Sequence, residues 1–216
     1  MNKIKAVIFD MDGVIIDSEP LWKIAIINVM KQEGFDFTIA MCNRTKGMRM
    51  DEVSVFWKEE LNANFSPKKI TKDVIHELIN LVKKQGKAIA GLLDLLHYFK
   101  DQNLKIALAS SSSMQIINTV LEKLEIREYF EVIHSAETEE YGKPHPQVFI
   151  TTANMLNISP ENCLVIEDSL HGVIAGKAAK MKVIAMPEIG EPKLNKFTIA
   201  DEIVNSLVDI INLFKN

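Results

Sequence analysis

Residues 4–13, Ile4-Lys5-Ala6-Val7-Ile8-Phe9-Asp10-Met11-Asp12-Gly13, decide the reading of this chain. Ile4–Phe9 is a short apolar run of the kind that forms a strand buried on both faces of a parallel sheet. It stops at two carboxylates, Asp10 and Asp12, two residues apart. An extended segment points both the same way. Left uncompensated they would repel, and one would hold a proton; a divalent cation removes that conflict.

Four further runs of the same type follow: Leu104–Ala109, Val132–Ser135, Cys163–Ile166 and Val183–Met186. Between them lie helical patterns such as Met114–Leu124 and Gln147–Leu156. From about residue 91 onward, strand and helix alternate, which predicts an α/β fold with a doubly wound parallel, Rossmann-like sheet. The alternation fails between the first strand and the second. Residues 18–90 carry helical periodicity and almost no strand signal, with Ser18 as a candidate N-cap and Pro20 in the first turn. Helices are expected to about Gly34, over Met50–Leu61, from Pro67 to Lys84 and over Leu92–Asp101. A block this long exceeds a simple crossover. Residues 18–90 are therefore expected to form a helical cap domain, inserted into a catalytic core of residues 1–17 and 91–216.

Composition excludes several classes. The chain has 216 residues, 47% hydrophobic and 25% charged, enough for one good core and a small second module. A net charge of -4 argues against a broad nucleic-acid or anionic-membrane surface. No window approaches about 18 consecutive apolar residues, and the N-terminus lacks the apolar region and cleavage site of a signal peptide. Two cysteines, Cys42 and Cys163, without a CxxC pair, read as reduced thiols. A cytoplasmic monomer is the expectation.

Ligands of open α/β sheets bind beyond the carboxyl ends of the strands, and the other strand ends here also carry chemistry. The fourth run ends in Glu167-Asp168, further hard oxygen donors suited to magnesium. Either acid pair alone would pass for turn formers or helix N-caps; both at strand ends of one sheet favour a cation site. The second run leads into Ser110-Ser111-Ser112-Ser113 and then a helix, a source of hydroxyls and N–H groups for an anion. Lys143, in Tyr141-Gly142-Lys143-Pro144-His145-Pro146, supplies the positive charge that phosphoryl transfer needs.

In that order, Asp10-Met11-Asp12-Gly13-Val14, Ser110, Lys143 and Glu167-Asp168 resemble the four motifs of the haloacid dehalogenase superfamily, across the whole chain. Within it the chain is similar to the β-phosphoglucomutase-like group. The likeness is greatest to the sugar-phosphate phosphatases acting on 2-deoxyglucose 6-phosphate and hexitol phosphates. Ile16–Trp22, Thr45–Asp51 and Lys143–Phe149 carry that narrower likeness. Where the family usually has Pro-Gly at the return to the core, this chain has Ala90-Gly91.

The resemblance implies roles. Asp10 would be the nucleophile, forming an aspartyl-phosphate, and a magnesium ligand. Asp12 would be general acid and base, binding metal through its backbone oxygen. Ser110 and Ser111 would hold phosphoryl oxygens, Lys143 would balance their charge, and Asp168 would be the third metal position beside Glu167. A dehalogenase needs neither magnesium nor an acid/base Asp, so Asp12 favours phosphoryl chemistry. The implied activity is magnesium-dependent hydrolysis of small sugar- or polyol-phosphate monoesters. A phosphosugar mutase is the alternative and a catalytically idle binding fold a third. In the mutases, a histidine shortly after the first motif restrains the acid/base Asp. That position is Trp22 here, so Asp12 is expected to lack the restraint. Trp22 and Trp57 read as packing residues, His171 as a loop-packing one, and Lys46 and Arg49 as solvated charges or substrate contacts.

Overall fold

The computed structural model describes residues 3–188 and 196–215; the extreme ends of the expected core range and residues 189–195 lie outside them. Among the described residues, six parallel strands form one sheet in the order β3-β2-β1-β4-β5-β6. They are β1 Ala6–Phe9, β2 Lys105–Ser110, β3 Val132–Ser135, β4 Cys163–Glu167, β5 Lys182–Ala185 and β6 Glu202–Ile203. Five correspond to the apolar runs. The sixth was not predicted, because a two-residue strand with both side chains exposed carries no pattern.

The buried strands alternate between two apolar layers. Val7 and Phe9 face one cluster with Leu108, Ile166 and Phe99, whereas Ala6 and Ile8 face a second with Ala109, Val165 and Phe149. Helices cover both faces, as a sheet buried on two sides requires. α5 Leu92–Asp101, α6 Met114–Leu124 and α9 Leu207–Lys215 supply the first layer, and α7 Gln147–Leu156 and α8 Leu170–Ala178 the second. Phe9 meets Phe99 and Phe130 edge-on at ring distances of 6.0 and 6.3 Å, the geometry aromatic rings prefer. The doubly wound α/β class is borne out.

Between β1 and α5 the chain is helical: α1 Glu19–Gln32, α2 Ile39–Arg44, α3 Met50–Glu60 and α4 Pro67–Gln85. α2 escaped notice because six residues are too few to show a period. α4 begins as its sequence dictates, with Ser66 accepting from Lys69 N and Pro67 in the first turn. Ser18 does occupy the N-cap of α1, but its hydroxyl makes no capping bond. The buried faces of α1, α3 and α4 join the first apolar cluster, so one continuous core links them to the sheet through α6. Among the described residues no helix is long and apolar enough to cross a membrane.

Candidate active site

β1 is the centre of the sheet, where the strand order reverses and ligands of such sheets bind. Its register with β2 and β4 aligns Phe9 with Leu108 and Ile166, so Asp10 emerges beside Ala109 and Glu167. Gly13, at φ +74, turns the chain away immediately. Only glycine fits: a Cβ there would lie 2.3 Å from Asp168 Oδ2.

Lys143 ties the strand ends together. It is 2% exposed, and its ammonium lies 2.6 Å from Asp10 Oδ1 and 2.7 Å from Glu167 Oε1. The second oxygen of Glu167 accepts from Ser169 N and Oγ at 2.8 and 3.0 Å. Burial alone would lower the Lys143 pKa; the two carboxylates more than offset it and hold the ammonium charged. Burial pushes the Asp10 carboxyl up to about 8, with Lys143 pulling against it and the charges of Glu167 and Asp12 adding to it. Burial likewise holds Asp168 well above the carboxylate range, against the pull of Lys46.

These residues fit a divalent cation. Asp10, Glu167 and Asp168 are all buried, and each offers a carboxylate oxygen within 4.8 Å of the others. Carboxylates crowded this way are forced toward protonation unless a metal takes their charge. Asp12 contributes no side-chain oxygen to that group, because its carboxylate is engaged elsewhere. It accepts from Ser18 Oγ at 2.5 Å and Trp22 Nε1 at 2.8 Å on one oxygen, and from Ser112 Oγ at 2.7 Å on the other. Two expectations change here. Trp22 is more than a packing residue, and Asp12 does not lack restraint: an indole cannot replace imidazole as a base, but it supplies the N–H donor.

The expected phosphate residues line the same cavity, of about 300 Å³, together with Asp10, Asp12 and Lys143. Ser110 is fully buried, and its Oγ accepts from Ser112 N at 3.0 Å. Ser111 Oγ donates to Gly47 O at 3.0 Å, tying β2 to the loop before α3. Lys46 and Arg49 are not solvated. Lys46 Nζ lies 2.8 Å from Asp168 Oδ2, and Arg49 Nη1 donates to Ala136 O and Glu139 O at 2.9 and 2.7 Å. His171 joins the same seam through Lys46 O at 2.9 Å. Trp57 is a packing residue as expected, 3% exposed against Phe37 and Phe56. Cys42 and Cys163 are buried free thiols, pushed up to about 11 by burial.

Two wall residues, Glu19 and Glu137, were not read from the sequence, and Ser112 was read only as one of a serine run. Glu19, pushed up to about 7 by burial, lines the cavity from α1. Glu137 Oε1 accepts from Met114 N at 3.1 Å, taking over the cap of α6 that Ser113 was placed to make.

The family model for haloacid dehalogenase-like hydrolases matches residues 7–186. Hexitol phosphatase B of Escherichia coli is 37% identical over 213 residues, covering 97% of this chain and 95% of the relative. The phosphorylated carbohydrates phosphatase of Thermotoga maritima is 30% identical, covering 96% of this chain and 100% of the relative. Among solved structures, the β-phosphoglucomutase of Clostridium difficile superposes with a TM-score of 0.84 at 27% identity, over 98% of this chain and 99% of the other. With its strand-end acids, its buried lysine and these relatives, the chain belongs to the haloacid dehalogenase-like hydrolase family, in its β-phosphoglucomutase-like group.

Proposed function

We propose that the protein is a phosphatase that hydrolyses small sugar- or polyol-phosphate monoesters through a phosphorylated Asp10. The observation that carries this is the meeting of Asp10, Lys143 and Asp12 in one cavity, closed over by helices α1 and α3. An Asp10 oxygen attacks phosphorus, and the ester P–O bond breaks. Asp12 gives its proton to the departing alkoxide. Water then attacks the aspartyl-phosphate, Asp12 takes the water proton, and inorganic phosphate leaves with Asp10 restored. Lys143, with Ser110 and Ser111, meets the phosphoryl oxygens, and its ion pair to Glu167 keeps the ammonium aimed as charge moves. Asp10, Asp168 and the backbone oxygen of Asp12 would hold magnesium, with Glu167 beside them. Magnesium would supply neutralising charge and Lewis acidity at the phosphoryl group.

Residues 18–90 would act as a cap that shuts water out and chooses the leaving group. The phosphatase names of the two curated relatives support hydrolysis of a phosphorylated carbohydrate. The three donors on Asp12 favour the second reading, a phosphosugar mutase, since they restrain the acid/base group.

The test is release of inorganic phosphate from a panel of sugar and polyol phosphates, with and without magnesium. β-Glucose 1-phosphate with a trace of the 1,6-bisphosphate is included. Magnesium-dependent phosphate release is expected. Glucose 6-phosphate accumulating faster than inorganic phosphate would promote the mutase.

A further inference from the structure

We infer that the cavity admits substrates with a single phosphate, and that two acids among the described wall residues enforce this, Glu137 by occupying the Met114 amide and Asp51 by pairing Arg49. The inference rests on the phosphatase reading above and names the class of leaving group: an uncharged polyol or sugar.

The cations on the wall are Lys23, Lys46, Arg49 and Lys143. Each has a protein carboxylate within 4 Å. Lys143 is held by Asp10 and Glu167 on the floor. Lys46 pairs with Asp168, and Lys23 stands 3.6 Å from Glu188. Arg49 is the most tightly committed. A guanidinium has five N–H donors. Its Nε and Nη2 bond the two oxygens of Asp51 at 3.2 and 3.1 Å. Nη1 spends both donors on Ala136 O and Glu139 O, and Nη2 also lies 3.5 Å from Glu52 Oε1. Arg49 is thus a strut between α3 and the 136–139 turn, with four of its five donors hydrogen-bonded and the fifth turned towards a carboxylate.

One amide at the N-terminus of α6 is taken as well. The Met114 N–H, which could otherwise meet a phosphate, is held by the carboxylate of Glu137. The remaining wall includes Trp22, Ile26, Met48 and Val53. A second phosphate would lose its water against apolar side chains and lie near Glu137 and Asp51, where it would have to compete with a protein carboxylate for each cation among the described wall residues. An alcohol leaving group brings only hydroxyls, and Ser113 Oγ is buried without a hydrogen-bond partner on that wall. A mutase must hold a bisphosphate between its half-reactions, so the same arrangement weighs against the second reading.

The test uses glucitol 6-phosphate and glucitol 1,6-bisphosphate as competitors of p-nitrophenyl phosphate turnover, with magnesium, in wild type, Glu137→Gln and Asp51→Asn. The monophosphate should compete at least about a hundredfold better with wild type, an anion-pairing difference of the size that unpaired charges produce. Glu137→Gln keeps an oxygen for Met114 N and loses the charge, so the preference should narrow about tenfold. Asp51→Asn loosens Arg49 and should narrow it in the same direction. Equal competition by the two compounds with wild type, failure of the monophosphate to compete, or an unchanged preference in both variants overturns the inference alone. Absence of magnesium-dependent turnover of p-nitrophenyl phosphate and of every phosphate in the panel overturns the phosphatase reading itself.

Discussion

Replacing Asp10 by Asn separates the chemical role of that carboxylate from its cost to the fold. In the metal-free protein, burial lifts Asp10 to about 8, whereas an unfolded chain leaves Asp near ~3.9. Between those values the folded state holds the extra proton. The stability tied to this group is therefore full below the unfolded value and is lost as pH rises through the folded one. The slope is about 1.4 kcal/mol per pH unit, and the loss accumulated by pH 7 is on the order of 4 kcal/mol. An amide of the same shape does not titrate. Chelated Asp10→Asn should therefore be more stable than chelated wild type at pH 7, by up to that amount, or roughly 10 °C in Tm for a chain this size. The assay is thermal unfolding of both proteins in EDTA at several pH values from 5 to 8. Titration of Glu19 is common to both and largely cancels in the difference, whereas the Asp10 charge also helps to raise Asp168, so its removal widens the gap in the same direction. The gap should widen steadily with pH while turnover in magnesium falls by several orders of magnitude. A gap that stays flat with pH refutes the burial account, and near-normal turnover by the folded variant refutes the nucleophile.

Gly172→Ala should damage the site from outside the cavity. The new Cβ would lie 1.6 Å from Glu167 Oε1, a side chain pinned by Lys143 and Ser169, so a loss of about 3 kcal/mol or more is expected in denaturant unfolding, together with loss of turnover. Ser112→Ala and Trp22→Phe each remove one donor from Asp12; at about 1.5 kcal/mol per charged hydrogen bond, each should lower kcat/KM roughly tenfold, and unchanged values would show that Asp12 is placed by its backbone alone. Calcium should inhibit where magnesium activates, because it accepts more ligands at longer distance and can draw in both oxygens of the Asp10 carboxylate; equal turnover in the two ions would contradict the assignment of Asp10.

The sequence by itself determined five of the six described strands and the acids at the ends of two of them. A parallel strand buried on both faces is a continuous apolar run, and the carboxylates of the candidate site follow directly at its end. Asp10 after Phe9 and Glu167-Asp168 after Ile166 could therefore be read without knowing any neighbour. Lys143 was legible too as the positive charge of the third motif, but its ion pairs to Asp10 and Glu167, 133 and 24 residues away, came only from the tertiary structure. Tertiary structure alone also decided what surrounds those acids. Ser18, Trp22 and Ser112 converge on Asp12 from α1 and from the loop after β2. Arg49 reaches carbonyls 87 and 90 residues away, and Glu137 caps a helix 23 residues before it in the chain. Periodicity tells which face of a helix is buried but not which carbonyl or carboxylate will stand opposite a given donor. That is decided by how α1 and α3 pack over the strand ends, and the hydrogen bonds form only once the packing has brought the groups within about 3 Å.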